Sequence, residues 1–194
     1  MRLGRAVVLL ATLAAPAAAE RTVVPLDQDW RFRKGEAVGP EQPKFDDAGW
    51  RIVTIPHDWS IEGPYDEDAP SARGGGYLPS GVSWYRRRIA LPESERGRRI
   101  ALELDGVMAD ARVWVNGRHV GHRPNGYVSV RYDLTDVARF GDGEAGSNLI
   151  AIRTDTTLQP ASRWYTGQGI YRHARLVATD PIHLAAHGLH VTTP

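Results

Sequence analysis

The residues of this chain that could do chemistry are aromatics, arginines, and scattered histidines and carboxylates. The stretch RWYTGQGIYRH, residues 163–173, sets Arg163, Trp164 and Tyr165 ahead of Gly167 and Gly169. Glycines there let the backbone bulge, so the three side chains project from a sheet edge while Ile170 returns to the core. Such a surface suits a sugar. Aromatic rings cover its apolar C–H face, and arginine or carboxylate groups hydrogen-bond its hydroxyls. The competing reading is that Trp164 and Tyr165 only cap the core.

Other chemistries fit less well. His119 and His122 lie three apart, which on a regular strand sends their side chains to opposite faces. His183, His187 and His190 have helical spacing in a segment that reads as strand and linker, so no histidine metal site is expected. Ser60 follows His57 and Asp58, but no G-x-S-x-G elbow presents a serine as nucleophile. Gly74-Gly75-Gly76 lacks the lysine and helix of a phosphate cradle. Asp66, Glu67 and Asp68 sit on a flexible loop and read as solvated rather than as a calcium site. Paired carboxylates for glycoside hydrolysis come from distant strands, and spacing alone does not identify them. No catalytic residue, metal or cofactor is assigned to the chain.

The elements that would position these residues are strands. Arg99 to Asp105 alternates, with Ile100, Leu102 and Leu104 on one face. Ala111 to Val115 runs through Asn116-Gly117 into Arg118 to His122, and Asn-Gly between two such runs is a strong hairpin signal because both turn positions need φ > 0. Val128 to Asp133, Asn148 to Thr154, Tyr171 to Ala178 and Ile182 to Ala185 read as further strands. Helical candidates are single turns near Asp46 to Gly49 and Leu134 to Arg139. The pattern predicts an all-β, two-sheet β-sandwich of jelly-roll type. The stretch from Ser60 to Ser83 carries Pro64, Pro70, Pro79 and five glycines. A loop that long in a compact domain is functional or disordered, and Tyr77, Trp84 and Tyr85 at its end argue for order.

Composition narrows the class. Arg2 and Arg5 precede an apolar run from Ala6 to Ala15, then Pro16 and Ala17-Ala18-Ala19, which reads as a signal peptide over residues 1–19. The run is too short to span a bilayer of ~30 Å, so no membrane segment is expected after cleavage, and the mature protein is expected to be secreted or periplasmic. The 24 Lys+Arg and 23 Asp+Glu become 22 against 23 without Arg2 and Arg5, a formal charge of −1. A near-neutral protein is a poor nucleic-acid binder, since phosphate contacts need a concentrated positive field. There are no cysteines, so neither disulfides nor cysteine-ligated metal sites contribute.

The motifs FDDAGW (45–50), IPHDWSIEGP (55–64), GVSWYRR (81–87), LDGVMADARVWVNGRHVGHRPNGY (104–127), DLT (133–135) and RWYTGQGIYRH (163–173) resemble, in order, the N-terminal sugar-binding domain of glycoside hydrolase family 2. The resemblance is closest to the bacterial β-galactosidase branch and runs from about Val23 to Pro194. It implies a jelly roll followed by an immunoglobulin-like domain and a TIM barrel that carries both catalytic glutamates. The chain contains no Asn-Glu dipeptide and no room for a barrel of ~250 residues. The resemblance therefore implies a jelly-roll sugar-binding domain over 20–186. Residues 187–194 would begin a truncated linker into the immunoglobulin-like domain.

In that family the segment before Gly-Ile-(Tyr/Phe)-Arg helps wall the substrate pocket, and in the better-known β-galactosidases and β-glucuronidases an aspartate six residues before the glycine contacts the sugar. Counting back from Gly169, this chain has Arg163 there, so the location carries over and the aspartate's contact does not. The loop ending at Ser80 to Tyr85 resembles a second approach to the pocket. By the same resemblance His57-Asp58-Trp59 locks its loop onto the sandwich. The expected ligand is a β-galactoside-type glycan bound by Arg163, Trp164, Tyr165 and Ser80. The expected partners are the absent immunoglobulin-like and TIM-barrel domains of the same enzyme. The alternative is a free-standing carbohydrate-binding module or lectin.

Overall fold

The computed structural model describes residues 20–158 and 163–193; the signal peptide read at residues 1–19 lies outside them. Among the described residues ten strands form two antiparallel sheets, an all-β sandwich. The smaller sheet has the order β1 (Arg21–Pro25), β10 (Ala174–Thr179), β5 (Arg99–Leu104), β8 (Val130–Asp133). The larger has the order β3 (Arg51–Val53), β2 (Trp30–Lys34), β4 (Val82–Ala90), β9 (Ser147–Asp155), β6 (Ala111–Val115), β7 (Arg118–Arg123). Alternation explains which side chains meet between the sheets. Ile100, Leu102 and Leu104 of β5 are fully buried and face Ile150 and Ile152 of β9, Val113 and Val115 of β6, and Tyr85 of β4 in one core.

The hairpin β6–β7 turns at Asn116 and Gly117, which have φ of 54° and 84°. Both are positive, as the two-residue turn demands. Asn116 also ties the turn to β9, donating from Nδ2 to Asn148 Oδ1 at 2.8 Å and accepting from the Leu149 N–H at 3.0 Å. Beyond the turn, β7 differs from a regular strand. Trp114 pairs with His119 while Val113 pairs with Gly121, leaving Val120 as a bulge. The extra residue shifts the parity. His119 and His122 therefore lie on the same outer face, opposite Trp114 and Arg112, and not on opposite faces as a regular strand requires.

Three other expectations are corrected. Ile182–Ala185 is not a strand. Pro181, which offers no N–H to a ladder, ends the pairing just past Thr179, and the Leu184 carbonyl accepts from Arg21 Nη2 at 2.8 Å instead. The stretches Asp46–Gly49 and Leu134–Arg139 are hydrogen-bonded turns without helix; single 3-10 turns occur at Arg73–Gly75 and Glu93–Glu95. Finally, residues 163–173 do not lie on a sheet edge. They form a loop that meets residues 106–110 through the bridge Met108–Gly169.

One loop closes the outer face of the larger sheet. Trp84, Arg86 and Arg88 point away from the core, and residues 35–50 fold over them. The Arg86 side chain has no exposed surface. It donates to the carbonyls of Phe45 at 3.2 Å and Gln42 at 2.9 Å, pairs with Asp47, and lies 5.2 Å from the centre of the Phe45 ring. FDDAGW thus supplies an arginine cage.

Candidate functional site

One end of the sandwich gathers the loops that carry the expected sugar-contacting residues. Residues 55–60 reach it first. His57 N–H donates to the Ile170 carbonyl at 2.8 Å, and Ile170 is fully buried, which pins the end of the 163–170 loop into the core. Gly169 then pairs with Met108 through both backbone groups, at 2.9 and 2.7 Å. Gly167 and Gly169 have φ of 92° and 76°, values that favour glycine. At Gly169 a Cβ would lie 2.1 Å from the Tyr85 hydroxyl, so the backbone comes as close to β4 as the absence of a side chain permits.

The loop from Ser60 to Ser83 is ordered by three ties. Ser60 Oγ donates to the Pro79 carbonyl at 2.5 Å. Gly81 and Thr156 exchange backbone and hydroxyl hydrogen bonds at 3.0 Å, and the Thr156 hydroxyl donates to Gln168. Ser71 donates to Leu78 within the loop. Asp66, Glu67 and Asp68 are exposed on it. The ends of β4 and β9 are thereby joined to the 163–170 loop.

The four residues expected to contact sugar are placed differently from one another. Arg163 is exposed, and Trp164 is 65% exposed, so Trp164 does not cap the core. Tyr165 is half-buried and turns inward, its hydroxyl donating to Asp58 Oδ1 at 2.5 Å. Ser80 is half-buried between Pro79 and Gly81, the two residues that fasten its loop to this end. Sequence reasoning did not single out Gln168, Thr156 or Met108, whose ties are made across the fold and leave no local pattern. A groove of about 440 Å³ lined by Val24, Leu26, Leu91 and Leu176 lies elsewhere, between β1 and β4.

His57 holds the first loop, and its protonation state follows from its neighbours. Arg51 Nη2 lies 2.8 Å from Nε2 and can only donate, so Nε2 accepts and the ring proton sits on Nδ1, which donates to the Tyr85 hydroxyl at 2.8 Å. Glu62, 3.1 Å from Nε2, is bound by the same guanidinium at 2.7 Å. Burial holds the His57 imidazolium below the usual histidine range, against the attraction of Glu62 and Asp58 and with the help of Arg51. The sign of the pH effect follows. Below about pH 6.5 the unfolded chain binds a proton that the folded one refuses, so stability is lost as pH falls. Thermal unfolding should show Tm dropping from about pH 7 to about pH 5.5, with a smaller drop in His57→Gln. Equal slopes in both proteins would show that His57 is not the titrating group.

Comparison with known proteins identifies the family and the fold. Residues 79–185 match the family described as glycosyl hydrolase 2 galactose-binding domain-like. The β-galactosidase BoGH2A of Bacteroides ovatus is 44% identical over 165 residues, covering 85% of this chain and 19% of that protein. A crystal structure of a glycosyl hydrolase family 2 member from Bacteroides cellulosilyticus superposes with a TM-score of 0.77 at 39% identity, covering 82% of this chain and 21% of the other. The Bacteroides uniformis β-glucuronidase superposes at 0.73 with 29% identity, covering 87% and 19%. The chain thus spans about a fifth of the length of these relatives. With the motifs, the two-sheet sandwich and the matched region in agreement, the chain belongs to the glycosyl hydrolase 2 galactose-binding domain-like family.

Proposed function

We propose that this domain completes the substrate pocket of an exported family 2 glycosidase acting on β-galactosides. The barrel of the same enzyme would supply the two carboxyl groups, ~5–5.5 Å apart, that retaining hydrolysis requires. The observation that carries the reading is Trp164, a large aromatic left 65% exposed on a loop whose other end is fixed in the core. An exposed indole on a positioned loop offers a flat apolar face to a sugar ring. Arg163 beside it offers five permanent donors to hydroxyl or carboxylate oxygens, and Ser80 approaches from the neighbouring loop. The higher identity to the Bacteroides ovatus β-galactosidase than to the β-glucuronidase structure favours a β-galactoside. Export rests on the charged, apolar and small-residue pattern of residues 1–19.

Arg163→Ala tests the reading in the enzyme that contains this domain. Loss of one charged hydrogen bond to substrate should cost ~1.5–3 kcal/mol, a ten- to hundredfold fall in kcat/KM, with Tm unchanged. An arginine that instead pairs across a domain interface would lower Tm and leave kinetics nearly intact. Unchanged kcat/KM removes Arg163 from the pocket.

A further inference from the structure

Tyr165 behaves differently from its neighbour Trp164. Its hydroxyl crosses to Asp58, 107 residues away in sequence. The accepting oxygen, Oδ1, also accepts from the Ser60 N–H at 3.1 Å, so the carboxylate is fixed within its own loop before it meets the tyrosine. That loop is held to the sandwich by His57 and by Trp59, only 3% exposed. The chain after Tyr165 curls around the same carboxylate: a Cβ built on Gly167 would lie 3.7 Å from Asp58 Oδ2. The 163–170 loop is therefore fastened twice. Gln168 to Ile170 join it to Thr156 just past β9, to Met108 and to the core, and Tyr165 joins the part that presents Trp164.

Burial and the adjacent Asp58 carboxylate push the Tyr165 hydroxyl far above the ordinary tyrosine range, so it stays a donor wherever the protein is folded. A charge-assisted hydrogen bond of this kind is short and about twice as strong as a neutral one.

We infer that Asp58 and Tyr165 form a positioning clamp that sets Trp164, and with it Arg163, at the lip of the sugar pocket, so that Tyr165 serves the pocket without touching the sugar. The inference rests on the pocket reading above. It moves Tyr165 from the contact group to the supporting group and adds its partner Asp58. The clamp joins the loop to Asp58 by one hydroxyl, so its removal leaves the core untouched and frees the indole.

Three variants of the enzyme containing this domain test it. Tyr165→Phe keeps the ring and deletes the bond. It should raise KM about tenfold with kcat within about twofold, because a misplaced contact weakens binding of substrate and transition state alike. Acrylamide quenching of Trp164, read as the difference from the same protein carrying Trp164→Phe, should change with it. Asp58→Ala should reproduce both effects. Asp58→Asn, whose amide oxygen still accepts from the tyrosine, should hold KM within about threefold of the parent.

Trp164→Ala separates the clamp from the pocket. If it lowers kcat/KM while Tyr165→Phe changes neither KM nor quenching, the clamp is wrong and the pocket reading stands. If Trp164→Ala leaves kcat/KM unchanged, the pocket reading falls and the clamp's role falls with it.

Discussion

Arg86→Ala should destabilise the domain by about 3–5 kcal/mol, which for a domain of this size lowers Tm by roughly 6–20 °C. The side chain has no exposed surface, and its guanidinium is surrounded by the Gln42 and Phe45 carbonyls, the Asp47 carboxylate and the rings of Phe45 and Trp50. Burial pulls its proton affinity down and Asp47 pulls it up, the balance of a charge kept in the interior by one partner. Truncation leaves Asp47 facing Arg31 alone at 3.5 Å, strands two carbonyls, and removes the support beneath the Phe45–Trp50 pair. Arg86→Lys should recover less than half of the loss, because an ammonium cannot serve two carbonyls, a carboxylate and two ring faces from one planar fork. Denaturant unfolding reads both. A loss below about 1 kcal/mol for Arg86→Ala, the range of surface ion pairs, would mean that the cage contributes little.

Gly169→Ala should cost about 3 kcal/mol, combining overpacking with a left-handed φ that alanine resists. The clash is with a fixed atom. The Tyr85 hydroxyl would lie 2.1 Å from the new Cβ, and it is held by His57 Nδ1 at 2.8 Å inside the core. The His57 carbonyl closes the other side at 3.1 Å. A second substitution isolates the cause. Tyr85→Phe deletes the offending oxygen, so the double variant should be more stable than the sum of the two single losses by about 1 kcal/mol or more. Strict additivity would show that the hydroxyl is not what excludes a side chain at 169.

Much of this fold is legible in the sequence because strand alternation and turn chemistry are local. Ile100, Leu102 and Leu104 announce their face by period two, and Asn116-Gly117 announces a hairpin by the φ values it tolerates. What is hidden depends on distant partners. In β4, nothing local in WYRRR marks its first arginine for burial, yet Arg86 is buried because residues 35–50 return to cover it. The parity of His119 and His122 turns on a bulge at Val120, which no residue type marks. Ile182 and Leu184 alternate correctly, but Pro181 has already ended the ladder, and the Leu184 carbonyl accepts from the Arg21 side chain instead of a strand N–H. The candidate site divides in the same way. The glycines of 163–173 and the return of Ile170 can be read locally, whereas the direction in which Tyr165 points is decided by an aspartate from another motif.

The pairing of β1 with β10 has a consequence for synthesis. Arg21 stands opposite Thr179, and the Glu20 N–H donates to Asp180, 160 residues further along the chain. Translation at ~5–20 residues per second therefore separates the two strands by roughly 8–32 s. From the moment β5 is made until β10 follows, β5 lacks the strand that joins it to β1, because β10 lies between them. The smaller sheet is thus completed last, by a strand that must insert between two edges already made. A nascent chain in this state exposes Val23 and Val24 beside an open ladder, the kind of edge that recruits another chain. The ordering therefore makes timely completion of β10 the point at which assembly and aggregation compete.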